Sequence, residues 1–195
     1  MDCGVLFSGG KDSTLAALVL EDFYDVTLVT AGFGVTDDWE HARAAADDLG
    51  FAFERVVLDE SVAADAVETM VDDGFPRNGI QAVHEHALEV VAERKYDAVA
   101  DGTRRDDRVP TVSRASAQSL EDRHGVDYLS PLTGFGRGAI DDLVEQELVV
   151  ESGPSEEVPK GDYETELRAL IEDREEGSVA EVFPAHEQTR VTGRR

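Results

Sequence analysis

The 195-residue sequence predicts an α/β fold, a doubly wound parallel sheet with helices on both faces, on three observations. Short apolar runs alternate with segments of helical period, the pattern of strands joined by helical crossovers. The first of these runs ends in Ser8-Gly9-Gly10 and passes directly into a helical segment. From Ala139 the alternation stops and two helices follow, which predicts a short helical C-terminal appendage over 139–195 attached to a ligand-binding domain over 1–138.

Cys3–Phe7 reads as a buried strand, and Thr14–Asp22, with Leu15, Leu18 and Val19, as the helix after it. Val26–Ala31 is the second strand, closed by Gly32-Phe33-Gly34. Asp37 can cap a helix over Asp38–Leu49, with Glu40 as the reciprocal box residue and Gly50 as the stop. Phe51–Leu58 is a third strand and Ser61–Asp73 a helix. After the loop Phe75-Pro76-Arg77, Asn78 begins a helix with Ile80, Val83, Ala87, Leu88 and Val91 on one stripe. Asp97–Ala100 is the fourth strand, Val112–Arg123 a helix and Asp127–Leu129 the fifth strand. Helices near 139–149 and 162–174, the second capped by Asp162, are joined by a Gly/Pro/Glu-rich connection, and Glu187–Arg195 reads as a loose tail. No internal repeat is visible.

Composition narrows the function classes. No run approaches the roughly 18 apolar residues of a membrane span, and no leader-like segment is visible, so a cytoplasmic location away from membranes is expected. Cys3 is the single cysteine, which rules out a disulfide within the chain and a CxxC metal clip. The formal net charge is −25, and lysine occurs only at positions 11, 95 and 160. Acids spread through every segment fit adaptation to a salt-rich cytosol, a halophilic character, better than one acidic docking face. Such acidity does not exclude nucleic acid as a partner. A homodimer is compatible with the sequence and not specified by it.

Ligands of a parallel sheet bind beyond the carboxyl ends of its strands, where Ser8–Ser13 lies. Gly9 and Gly10 allow a tight turn and close backbone approach, and the following helix offers unpaired N–H groups to an anion. Ser8 and Ser13 add hydroxyl donors, Lys11 can neutralise phosphate, and Asp12 can hold magnesium. A Walker A loop is excluded, because Val5 and Asp12 stand where it needs Gly and Ser/Thr. The dinucleotide fingerprint lacks its third glycine.

Val5-Leu-Phe-Ser-Gly-Gly-Lys-Asp-Ser-Thr14 resembles the SGGxDS signature of the PP-loop ATP pyrophosphatases. The resemblance covers roughly residues 3–135 and implies a Rossmann-like sheet of the adenine nucleotide alpha hydrolase type. It further implies an enzyme that uses ATP and Mg2+ and releases AMP and pyrophosphate. In that family a strand ends in glycine ahead of an Asp-Asp pair, matched here by Asp101-Gly102-Thr103-Arg104-Arg105-Asp106-Asp107. By that resemblance Gly102 and Thr103 lie beside the nucleotide, Asp106 holds metal with Asp12, and Asp107 joins Lys11 and Asp12 as catalytic. Adenine would stack at Ala31–Phe33. Lacking cysteine pairs, the chain departs from the sulfur-transferring relatives with built-in clusters and from the zinc-bearing nitrile synthases. Lys11 in the variable place is closer to the RNA-modifying and diphthine branches.

Arg77, Arg104 and Arg137 are candidates for substrate binding. Arg77 sits where a crossover meets the ligand edge, and Arg137 lies in Gly134-Phe-Gly-Arg-Gly138. Arg104, with Arg105, Arg108 and Arg114, suits phosphate or RNA, or pairing with carboxylates. His84 and His86 lie two apart on a helix, so they cannot form one metal pair and read as surface residues. The expectation is an AMP-forming ligase or transferase that adenylates an acceptor, tRNA or a small molecule, for attack by ammonia, an amine or sulfide. The alternative is a regulatory module that holds ATP or AMP without turnover.

Overall fold

Five short strands form one parallel sheet, each joined to the next by a helical crossover. They are β1 (Asp2–Leu6), β2 (Asp25–Gly32), β3 (Ala52–Val57), β4 (Ala98–Ala100) and β5 (Asp127–Leu129), in the order β3-β2-β1-β4-β5. Every neighbouring pair is parallel, as the alternation predicts. The computed structural model describes residues 1–155, 157–158, 160–174 and 179–195.

The crossovers are α1 (Lys11–Leu20), α2 (Trp39–Leu49), α3 (Glu60–Asp73), α4 (Arg77–Ala92) and α5 (Arg114–His124). A 3-10 turn (Pro131–Gly134) leads to α6 (Arg137–Glu147), and α7 (Tyr163–Glu172) and α8 (Val179–Val182) follow later. Successive strand residues point to opposite faces, so Leu28 and Val29, or Ala98 and Val99, enter different cores. One core packs α3, α4 and α7 around Val29, Val56 and Val99. The other packs α1, α2 and α6 around Cys3, Val5 and Leu28. The sheet is therefore doubly wound. None of the described helices is long and apolar enough to cross a membrane.

Four expectations are corrected. The tail is not loose: β6 (Leu148–Pro154) and β7 (Glu187–Arg194) form an antiparallel hairpin-like pair. Val191 inserts into the core between them and α1, while Arg190 pairs with Glu151 at 2.6 Å and Arg194 with Glu21 at 2.8 Å. The helix expected to reach 149 stops at Glu147 and runs straight into β6, and Glu156 and Pro159 of the expected connection lie outside the described residues. No side chain caps α2; Asp37 contributes its backbone carbonyl, which accepts the Glu40 N–H at 3.0 Å. The Gly50 stop and the Asp162 cap match, with Gly50 at φ 80° and the Asp162 carboxylate accepting the Thr165 N–H at 3.1 Å, whereas α4 begins at Arg77 rather than Asn78 and has no side-chain cap.

The strand order sets the site. The chain builds outward from β1 to β3, then crosses back to place β4 on the other side of β1. The loops after β1 and β4 consequently diverge, opening a crevice at the carboxyl edge.

Candidate functional site

The loop after β1 is shaped by its own side chains. Gly9 turns with φ 79°, a conformation costly for residues with a Cβ. The Gly10 N–H donates to Ser8 Oγ at 3.3 Å, and the Gly10 carbonyl accepts from Ser13 Oγ at 3.1 Å and Thr14 Oγ1 at 2.9 Å. No side chain caps α1, whose first backbone bond runs from the Thr14 N–H to the Gly10 carbonyl. The earlier N–H groups of its first turn are left for an anion, at the positive end of the helix dipole.

The loop after β4 presses against this turn. A Cβ on Gly102 would lie 2.6 Å from the Ser13 nitrogen and 2.7 Å from the Asp12 carbonyl carbon, so glycine alone permits the contact. Between the loops opens a cavity of about 620 Å³. Its charges are paired in a line: Lys11 Nζ lies 2.7 Å from Asp12, Arg104 3.6 Å from Asp12, and Arg104 3.1 Å from Asp107. Burial disfavours the charged Arg104 guanidinium, but Asp12 and Asp107 outweigh it and hold its pKa above the ordinary value.

Ser8, Gly10, Lys11, Asp12, Ser13, Ala31, Gly102, Thr103, Arg104, Asp107 and Arg137 all line this cavity, as the sequence placed them. Gly9 sits behind the loop against Ala42. Three expected residues are not brought in. Phe33 is buried beside the cavity with its N–H donated to the Glu166 carboxylate, so its backbone is already engaged. Arg77 is exposed on the first turn of α4, and its neighbour Pro76 lines the cavity instead. Asp106 is about half exposed and does not line the cavity, although its carboxylate lies 3.8 Å from Arg104, and Asp107 is the member of the pair that does.

A family of unknown function, DUF7411, matches residues 1–193. The chain belongs to it. Uncharacterized protein MJ0690 of Methanocaldococcus jannaschii is 41% identical over 194 residues, covering 99% of this chain and 96% of that protein. A solved structure described as a predicted subunit of tRNA methyltransferase, from the same organism, superposes with TM-score 0.90 at 39% identity, covering 100% of this chain and 98% of that one. The U34-tRNA thiolase NcsA of Methanococcus maripaludis, solved with its 4Fe–4S cluster, superposes with TM-score 0.50 at 19% identity over 74% of this chain and 56% of that one. The last likeness is one of fold, and it agrees with the Rossmann-like sheet.

The DUF7411 chain also completes its cavity with residues that sequence reasoning missed. The segment before α7 crosses the loop after β1: the Gly161 N–H donates to the Ser8 carbonyl at 3.1 Å, and from β7 the Val191 N–H donates to the Gly9 carbonyl at 2.8 Å. Lys160 thereby enters the cavity opposite Lys11, 3.2 Å from Asp162. Burial lowers the Lys160 pKa, but Asp162, Glu164 and Asp12 raise it further, so the ammonium stays charged. Two of three lysines in this acidic chain therefore face one cavity, a signal that the count of lysines could have raised.

Glu166, on α7, is buried and accepts N–H bonds from Phe33, from Gly34 at 2.9 Å and from Val35 at 3.0 Å. It ties the C-terminal segment to the end of β2. His84 is another correction: it is buried rather than on the surface, whereas His86 is partly exposed. Four residues beyond Ile80, it shares the apolar stripe of α4, which the spacing could have shown. His84 Nε2 lies 2.9 Å from Asp101 Oδ2 and Nδ1 lies 2.9 Å from the Tyr163 hydroxyl. Burial pushes the Asp101 pKa up, but hydrogen bonds from His84 and Thr103 outweigh it and hold it below the carboxylate range. Burial, together with Asp101, pushes the Tyr128 and Tyr163 phenols above their ordinary value.

Proposed function

We propose that this chain is a PP-loop ATP pyrophosphatase that binds Mg-ATP in the crevice, adenylates an acceptor and releases pyrophosphate, with tRNA the favoured acceptor. The observation that carries this reading is the uncapped first turn of α1, wrapped by Ser8–Ser13 and met by Gly102 at the switch of strand order. A cavity of about 620 Å³ is within the range of small-molecule sites. The acceptor class is supported by the tRNA-directed descriptions of the two structural neighbours.

The residues present fit the nucleotide. Loop N–H groups, Lys11 and Lys160 would hold the β- and γ-phosphates as a leaving group, and Ala31 would border the base. Asp12 would hold magnesium together with phosphate oxygens, a common arrangement for a cation that keeps few protein ligands. The ion supplies charge stabilisation to the departing pyrophosphate when bound. Arg104 and Arg137 would orient an anionic acceptor, whose oxygen attacks the α-phosphorus as the bond to pyrophosphate breaks. Lys11 then contributes more to turnover than to ground-state binding, because charge grows on the leaving group.

ATP labelled separately at the α and γ positions, incubated in high salt with bulk tRNA and an ammonium or sulfide salt as nucleophile, tests the reading. AMP and pyrophosphate are expected, with Lys11→Ala slowing their release at least about tenfold, a transition-state loss of about 1.4 kcal/mol. ADP and phosphate as products would reject it. Tight ATP binding with no product would instead favour the regulatory module.

A further inference from the structure

Beyond the phosphate-facing groups, the cavity wall carries a buried hydrogen-bonded line that ATP cleavage leaves unused. Asp101 is surrounded by donors. Its Oδ1 accepts the Thr103 N–H at 2.9 Å and the Thr103 hydroxyl at 2.6 Å, and its Oδ2 accepts the Tyr128 hydroxyl at 2.9 Å. A carboxyl group so surrounded is an ionised acceptor, which draws the His84 proton to Nε2. Nδ1 is then the free lone pair, and the Tyr163 hydroxyl donates to it. Nδ1 of His84 is the single protein partner of that hydroxyl among the described residues, and both Tyr163 and His84 line the cavity. The phenolic oxygen therefore keeps lone pairs for whatever occupies the cavity.

We propose that Tyr163, His84 and Asp101 form a proton relay that takes up the proton lost by a protic nucleophile, such as ammonia, an amine or sulfide, when it attacks the adenylated acceptor; this rests on the reading of ATP cleavage given above. The nucleophile forms its bond to the activated carbon, and the bond from that carbon to the AMP oxygen breaks, its electron pair leaving with AMP. The proton of the nucleophile passes to the Tyr163 oxygen as the phenolic proton passes to His84 Nδ1. The imidazolium so formed rests against Asp101 until solvent takes the proton. Tyr163 acts as a conduit and never needs to ionise, in keeping with a phenol held well above its ordinary pKa by burial and by Asp162, Asp101 and Glu164. The arrangement follows the logic of an acid–base histidine oriented by a buried carboxylate.

The test uses Tyr163→Phe and His84→Gln in the full chain. ATP affinity by calorimetry should stay within about threefold in both, while AMP release with bulk tRNA and an ammonium or sulfide salt as nucleophile falls at least about 100-fold, the usual weight of general acid–base assistance. The double variant should be no slower than the worse single one, since the residues act as one unit. Wild-type AMP release from Tyr163→Phe would overturn the relay, as would equal losses of ATP affinity and turnover, which mark a structural role. Nitrogen-15 NMR of histidine reads the relay without turnover and so separates its failure from that of the ATP reading. His84 should show Nε2 protonated and Nδ1 bare, with the Nδ1 signal moving in Tyr163→Phe. The opposite tautomer would overturn the proposal even if AMP is made.

Discussion

The two walls of the cavity are held by different kinds of bonds. On the α1 side, Ser8, Gly10, Ser13 and Thr14 bond one another across two to five residues of chain. On the α7 side, Glu166 reaches Phe33, Gly34 and Val35 across more than 130 residues, and Gly161 and Val191 reach the carbonyls of Ser8 and Gly9. The first wall is a property of a short peptide and its helix. The second exists only when the whole chain has packed, so its stability is tied to that of the fold. Local bonds therefore set the shape of the anion cradle, and long-range bonds set what faces it.

The sharpest way to break that contrast is Glu166→Ala. It leaves the buried Phe33 N–H without its acceptor and turns those of the exposed Gly34 and Val35 to water, so a loss of about 1–3 kcal/mol is expected. Urea unfolding measures it, and a midpoint within error of wild type would show that α7 is held by other means. A smaller effect concerns acid. The folded Asp101 carboxyl has a pKa below its unfolded one, because its hydrogen bonds outweigh burial. As pH falls the unfolded chain binds the proton first, so this stabilisation is full above about pH 4 and is lost as pH falls through the folded value. Asp101→Asn should flatten the acid limb of stability against pH, read by the same titration. An unchanged slope would assign the limb to other carboxylates.

Salt gives the smallest effect per residue and separates exposed from buried charge. With a net charge of −25, the melting temperature should climb steadily between about 0.1 M and about 2 M chloride as the Debye length falls from about 10 Å to a few ångströms. The deficit of Glu166→Ala should persist across that range, since its main cause is the unsatisfied buried N–H of Phe33. A flat melting curve would dismiss halophilic adaptation.

How much of this was legible in the sequence follows the same division. The sheet and the loop after β1 are written in local patterns: apolar runs, a Gly-Gly turn, a helix start; Gly102 entered through the family resemblance alone. Strand β7 escaped because Glu187–Arg194 is polar, and only Val191 is buried, so no alternation of apolar residues marks it. Glu166 escaped because one acid among 43 acidic residues carries no sign of burial until its partners are placed. Phe33 and Asp106 were assigned by resemblance, and in this chain Glu166 takes the Phe33 N–H while Asp106 lies against Arg104 outside the cavity lining. His84 was hidden by its pairing with His86, although its register with Ile80 pointed inward.

The bond from Val191 to Gly9 has a consequence for synthesis. On the ribosome the sheet strands emerge in order and the helices can close over them as they appear. The cavity, however, lacks its second wall until the final strand is free of the exit tunnel. Whatever binds in the cavity thus cannot template the nascent chain through the finished pocket; a chain released even a few residues short of β7 would be folded in the sheet and open at the site.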